Sequence, residues 1–149
     1  MSLYEKLNQD FKTALKARDE VRVAVLRMLK AAIKNKEVQA RRKLEEKEIL
    51  GVITSQTKQR RDSIAQFEEG GRADLVEREK VELAVLEGYL PSQLDRAGIE
   101  TAVDELVEEI GVESMKDMGR VMKTFTSRYA GQADNRVVSE VVKQKLAAL

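Results

Sequence analysis

Apolar residues recur three and four positions apart along most of the chain, the spacing of amphipathic helices. The first such run is Leu3, Leu7, Phe11 and Ala14, and Ser2 with Glu5 forms a capping box before it. This predicts a first helix from the capping box to about residue 17. The same pattern predicts three more helices before residue 90, over about 19–42, 44–69 and 72–89.

The single proline, Pro91, is the strongest boundary signal, because it disfavours a helical conformation in the residue before it. Beyond it, Asp95 and Asp134 can cap helices, and Gly111 can end one. The predicted helices there run over about 96–110, from about 114, and from 135 to the end of the chain. We therefore expect an all-α protein: an irregular N-terminal bundle of about four helices (1–90) followed by a three-helix tail domain (91–149).

Composition supports helices and removes several kinds of chemistry. Hydrophobic residues make up 42% of the chain and aromatics 4%, and both cysteine and histidine are absent. Zinc sites, Cys-His catalysis and Ser-His-Asp catalysis are therefore excluded. No glycine-rich nucleotide loop is present either. We expect no cofactor, no metal and no self-contained catalytic site.

The start of the chain carries charges where a signal peptide needs an apolar stretch, and no apolar run approaches the roughly 20 residues of a membrane helix. The sequence-based expectation is a monomeric cytoplasmic protein without a membrane partner.

Charge is unevenly distributed although the net charge is only +1. Residues 22 to 43 carry eight cations and one anion. Arg27, Lys30, Lys34 and Arg41 are spaced three, four and seven apart, which places them on one helical face. We call these four cations the ladder. They form either a surface that binds along a phosphate backbone or a solvated face whose charges pair with glutamates.

A second set of cations lies in the tail. Lys116, Arg120 and Lys123 are spaced four and three apart on the predicted sixth helix, with Lys143 on the last one. The amides at that helix start and these side chains could bind phosphate, or the cations could be ordinary surface charges. Lys145 lies at an apolar edge, where it either snorkels or faces a partner. Carboxylates are plentiful, and most of them fall on predicted solvent faces; they include Glu77, Glu79, Glu82 and Glu87.

Five segments of the chain, in order, resemble the YqeY family. They are Lys58-Gln-Arg-Arg-Asp-Ser-Ile64, Gly70-Gly-Arg-Ala-Asp-Leu75, Leu86-Glu-Gly-Tyr-Leu-Pro-Ser-Gln-Leu94, Asp117-Met-Gly-Arg-Val-Met122 and Gly131-Gln-Ala-Asp134. The last 60 or so residues also resemble the tail domain of the B subunit of glutamine-dependent Asp/Glu-tRNA amidotransferase. In that enzyme the tail is a helical module that contacts tRNA, while amide transfer takes place elsewhere.

The resemblance implies tRNA as a partner, and an amidotransferase or an aminoacyl-tRNA synthetase as a protein partner; DNA is not expected. It also implies membership of a group described as carbon–nitrogen ligases with glutamine as amide donor, although a shared fold does not establish an activity. Three hypotheses follow: a tRNA-binding module, a component of an amide-transferring enzyme, and a protein-binding adaptor. The RNA-binding candidates are Arg27, Lys30, Lys34, Arg41, Lys116, Arg120, Lys123 and Lys143.

Overall fold

The computed structural model describes residues 1–149, which form seven α-helices, one 3-10 turn and no strand, so the predicted all-α fold is confirmed. The helices are α1 (Leu3–Ala17), α2 (Glu20–Ala40), α3 (Glu46–Glu69), α4 (Ala73–Glu87), α5 (Arg96–Ile110), α6 (Met118–Arg128) and α7 (Asn135–Ala147). The 3-10 turn, Met115–Asp117, leads directly into α6.

The chain divides into two compact units, Met1–Leu90 and Pro91–Leu149. Unit 1 contains α1 to α4, and unit 2 contains α5 to α7. Each has its own cluster of buried hydrophobic side chains. That the two units fold independently stays a prediction.

The core of unit 1 is centred on α2. Leu26, Leu29 and Ile33 are at most 1% exposed, and Leu7 of α1 and Ile53 of α3 are fully buried against them. Burial of each such side chain contributes about 1.5–3 kcal/mol. Ile53 is the last α3 residue in this cluster, so Ile64 and Phe67, which the periodicity placed inward, are only half-buried.

Polar contacts fix the ends of the helices in unit 1. The Ser2 hydroxyl accepts a hydrogen bond from Glu5 N–H at 3.1 Å, and the capping box that the sequence predicted is present. Asp19 caps α2 by accepting from Arg22 N–H. At the far end of the unit, the Tyr89 hydroxyl donates to Asp10 Oδ2 at 2.6 Å and so ties the residues after α4 to α1. Burial and this carboxylate raise the pKa of the Tyr89 hydroxyl.

The core of unit 2 is formed by α5, α6 and α7. Phe125 is its largest side chain at 1% exposure, and Val103, Val121 and Val138 are fully buried around it. The ring of Tyr129 lies 4.9 Å from that of Phe125. α5 begins with Asp95 as its cap and ends at Gly111, which has a φ of +76°, as the sequence predicted.

The segment before α5 is held against the turn between α6 and α7. Leu94 N–H donates to Gln132 O at 2.7 Å. The Gln93 side-chain amide donates to Gly131 O at 2.6 Å and to Pro91 O at 2.9 Å. Residues 91–94 are therefore part of unit 2 although they contain no helix.

Candidate nucleic-acid interface

The first cations of the α2 ladder lie beside an aromatic ring. The Lys30 ammonium is 4.5 Å and the Arg27 guanidinium carbon 5.8 Å from the centroid of Phe11 on α1. No carboxylate lies within 4.0 Å of either group, and Lys34, one turn further, makes no polar contact. The alternative in which the ladder pairs with glutamates is therefore not what the structure shows. Cation–π contacts at exposed sites contribute only about 0.5–1 kcal/mol, so these two cations can still bind an anion.

Arg41 is the residue that ends α2 rather than a residue within the helix. α2 ends at Ala40, and Arg41 has a φ of +56°. Arg42 N–H then donates to Glu37 O, a bond that closes the helix end. The prediction that the helix continues through Arg41 to about residue 42 is wrong, because the left-handed conformation of Arg41 ends it. Its side chain is exposed without a carboxylate partner, so it remains a candidate contact from the loop.

Lys116 lies in the 3-10 turn rather than in the first turn of α6, so its predicted helical spacing to Arg120 is wrong. The reason is local hydrogen bonding. Ser114 Oγ accepts from Lys116 N–H at 3.3 Å, and Asp117 Oδ2 accepts from Glu113 N–H at 3.2 Å. The Lys116 amide, one of those at the predicted helix start that could bind phosphate, is therefore already bonded to Ser114. The Lys116 side chain is exposed and makes no polar contact.

Arg120 has structural partners. Its guanidinium donates to Ile110 O at the end of α5 at 3.1 Å and lies 3.7 Å from the Asp117 carboxylate. It therefore satisfies a terminal carbonyl of α5, where a cation also opposes the negative end of the helix dipole. If replacing Arg120 weakened RNA binding, the measurement would not separate the loss of a phosphate contact from the loss of these structural contacts.

Lys123 on α6 and Lys143 on α7 are exposed without a polar partner. Lys145 differs, since its ammonium lies 3.0 Å from the Asp104 carboxylate and links α7 to α5. This contact resolves the alternatives for Lys145: it pairs within the unit. The unpaired cations of unit 2 among the candidates are thus Lys116, Lys123 and Lys143, on elements that pack against one another.

One group of carboxylates departs from the sequence-based prediction. Most carboxylates were expected on solvent faces, but Glu82 is 8% exposed and Glu79 is half-buried. Both pair with Arg60 of α3, whose side chain is 11% exposed. Glu82 lies seven residues after Leu75 and four before Leu86, so the periodicity of α4 places it on the inward face. Its partner lies 22 residues away in sequence and could not be identified from α4 alone. The pairs hold α3 against α4.

No group of three or more histidine, cysteine, aspartate or glutamate side chains is placed to hold a metal ion. None of the seven helices has both the length and the apolar content needed to cross a bilayer.

The sequence matches the family described as Yqey-like protein over residues 4–146. It is 31% identical to "Altered inheritance of mitochondria protein 41, mitochondrial" of Pyrenophora tritici-repentis, over 96% of this chain and 80% of the relative. The protein of the same name from Vanderwaltozyma polyspora is 32% identical over 78% of this chain and 69% of its own length. The one from Lachancea thermotolerans is 38% identical over 70% and 57%. The chain thus spans from a little over half to four fifths of these relatives.

These names overturn one expectation. The relatives are named as mitochondrial proteins, so the expectation of a cytoplasmic location is wrong. Mitochondrial targeting segments are amphipathic and rich in arginine rather than apolar, so a search for an apolar stretch does not detect them.

Proposed function

The chain belongs to the Yqey-like family, and from that premise we propose that it is a tRNA-binding helical protein without a catalytic site of its own. The supporting observation is that most of the candidate cations have no carboxylate partner. Seven of the eight have no carboxylate within 4.0 Å, the exception being Arg120. Such side chains bind a phosphate backbone without first breaking an ion pair.

The contact is proposed to be mainly to phosphates. In unit 2 the aromatic rings near the candidate lysines are Phe125, which is buried, and Tyr129, which packs against it. Phe125 is closed to a base and Tyr129 is half-buried, so base-specific recognition of the kind used for single strands should be minor. Mitochondria contain tRNA, so this proposal is compatible with the names of the relatives.

A charge-reversal experiment tests the proposal. We expect the double change Lys116→Glu with Lys123→Glu to weaken binding of total tRNA in a filter assay. The slope of log affinity against log salt should flatten by about two, because each phosphate contact contributes about 0.9 to it. Neither side chain makes a polar contact, so the variant should keep the thermal stability of the parent.

The matched control is Lys58→Glu with Lys80→Glu, which reverses two exposed lysines on α3 and α4 and gives the same net charge. We expect it to retain most of the affinity. Equal losses in the two variants would show only a general charge effect. Full affinity in the folded Lys116/Lys123 variant would remove the tail from the binding surface and favour the protein-binding adaptor.

A further inference from the structure

One face of α1 carries apolar side chains next to the cations of α2. Tyr4, Phe11 and Leu15 are seven and four residues apart, so they lie on the same face of the helix. Tyr4 is 36% and Leu15 46% exposed, and the Tyr4 hydroxyl makes no hydrogen bond. The proposed phosphate contacts make no use of these side chains.

The contacts between the rings of α1 and the cations show how the two segments are aligned. Phe11 contacts Lys30 of α2, and the Tyr4 ring, nearer the start of α1, has the Lys43 ammonium 5.7 Å from its centroid. The two segments therefore run in opposite directions, and a row of cations lies beside a row of apolar side chains. We call this surface the α1–α2 face: Arg27, Lys30, Lys34 and Lys43 form one row, and Tyr4, Phe11 and Leu15 form the other.

The cations of the α1–α2 face are free of ion pairs, because no carboxylate lies within 4.0 Å of any of the four. Glu20 and Glu45 lie beyond the two ends of the cation row in sequence. Four other carboxylates of this part of unit 1 are bonded instead to a backbone amide or to Arg42: Glu5, Glu37, Glu46 and Glu48. The row can therefore attract a chain of negative charges.

A row of cations beside a row of apolar side chains matches a single-stranded nucleic acid, which has phosphates along one side and bases along the other. Proteins bind single strands with this combination, because every base has a face that stacks on an aromatic ring. A duplex hides the faces of its bases and would leave Tyr4 without a contact. A bilayer surface is bound through a broad apolar face. Here Asn8, whose side chain makes no polar contact, lies between Tyr4 and Phe11.

We propose that the α1–α2 face binds an unpaired segment of RNA, with phosphates on the cations and a base stacked on Tyr4. This inference rests on the proposed tRNA-binding function and adds to it the kind of nucleotide that unit 1 takes. Phe11 has a different part, because its ring is half-buried and has Lys30 over it: it positions Arg27 and Lys30. From Tyr4 to Leu15 the face is about 16 Å long, so several nucleotides fit along it.

The experiment compares a single strand with a duplex of the same sequence. The single strand is an RNA decamer of alternating C and A, which cannot pair with itself, and the duplex is this decamer annealed to its complement. Binding of the fluorescein-labelled RNAs to the full chain is followed by anisotropy. The chain has three tyrosines and no tryptophan, so a titration with unlabelled decamer can be followed by tyrosine emission. We expect saturable binding of the single strand and partial quenching of this emission.

Tyr4→Leu is the decisive variant, and Tyr4→Phe is its matched control. Tyr4→Leu removes the ring but no charge, so affinity for the single strand should fall at least about fivefold while the salt slope and the affinity for the duplex are retained. Tyr4→Phe should keep the affinity but lose most of the quenching, because the ring still stacks while the reporter is gone. Lys43→Gln should lower the salt slope for the single strand by about 0.7, the contribution of one phosphate contact. The melting temperature of each variant shows that it is folded.

The inference and the tRNA proposal can fail separately. If the parent binds tRNA but not the single strand, or if Tyr4→Leu binds the single strand as tightly as the parent does, the inference is wrong and the tRNA proposal stands. If the parent binds the single strand but not tRNA, the tRNA proposal is wrong, and a loss in Tyr4→Leu alone would still support the α1–α2 face. Binding to vesicles of phosphatidylcholine and cardiolipin in place of the single strand would overturn the inference and assign the face to a membrane surface.

Discussion

Replacing Arg41 by glycine should stabilise unit 1. Arg41 has a φ of +56°, a left-handed conformation that costs a non-glycine residue about 1 kcal/mol more than glycine. The exposed cation recovers part of that cost, about 0.3–0.5 kcal/mol, from the helix dipole at the end of α2. The expected net gain is roughly 0.5 kcal/mol, or about 2–4 °C in melting temperature for a unit of this size. Arg18 ends α1 in the same way, with a φ of +57°.

The assay is thermal unfolding followed by circular dichroism for Arg41→Gly, Arg18→Gly and the double variant. The two sites flank α2, which is about 31 Å long, so their effects should add. Arg41→Lys is the control, because it keeps both the charge and the strained backbone and should leave the melting temperature unchanged. A lower melting temperature for Arg41→Gly would refute the reasoning, since it would mean that the side chain stabilises the loop by more than the backbone strain costs.

Three further predictions concern independent folding, acid stability and catalysis. Phe125→Ala should lower the free energy of unfolding of unit 2 by about 3–5 kcal/mol, most of the stability of a 59-residue unit, and should unfold residues 91–149 alone. Slow amide hydrogen exchange at Leu26 of unit 1 should survive in this variant, and its loss would show that the units fold together. The hydrogen bond from Arg42 lowers the pKa of Glu48 to about 2, so the stabilising effect of the ionised Glu48 is present above pH 4.5 and is lost as the pH falls toward 2. In Glu48→Gln the melting temperature should depend less on pH across that range, and an unchanged dependence would contradict this. The purified chain should release no ammonia from glutamine, with or without tRNA, because it lacks cysteine and histidine; tRNA-dependent release abolished by replacing one of its carboxylates would contradict this.

Local signals predicted most of the fold. Ser2 with Glu5, Asp95 and Gly111 mark helix ends within a few residues of themselves, and the structure has those ends where the sequence indicated. Elsewhere, local signals competed. Ser114 and Asp117 resemble a capping box, yet Ser114 accepts from the nearer amide of Lys116 and forms a 3-10 turn.

The parts of the surface that depend on tertiary contacts could not be predicted. The buried ion pair of Glu82 could not be predicted from α4, because its partner, Arg60, lies on another helix. The sequence likewise gave no sign that Arg120 contacts the end of α5 or that Lys145 pairs with Asp104. Periodicity assigns a side chain to a face, but the neighbour of that face is set by packing.

The contacts of Gln93 and Leu94 determine where the tail can be cut out of the chain. A fragment that starts at Asp95 would keep all three helices, but Gly131 O and Gln132 O would lose the donors that fix the turn between α6 and α7. A fragment that starts at Pro91 keeps both bonds. Excision of the tail, or its fusion to another protein, therefore has to retain residues 91–94 as its N-terminal edge.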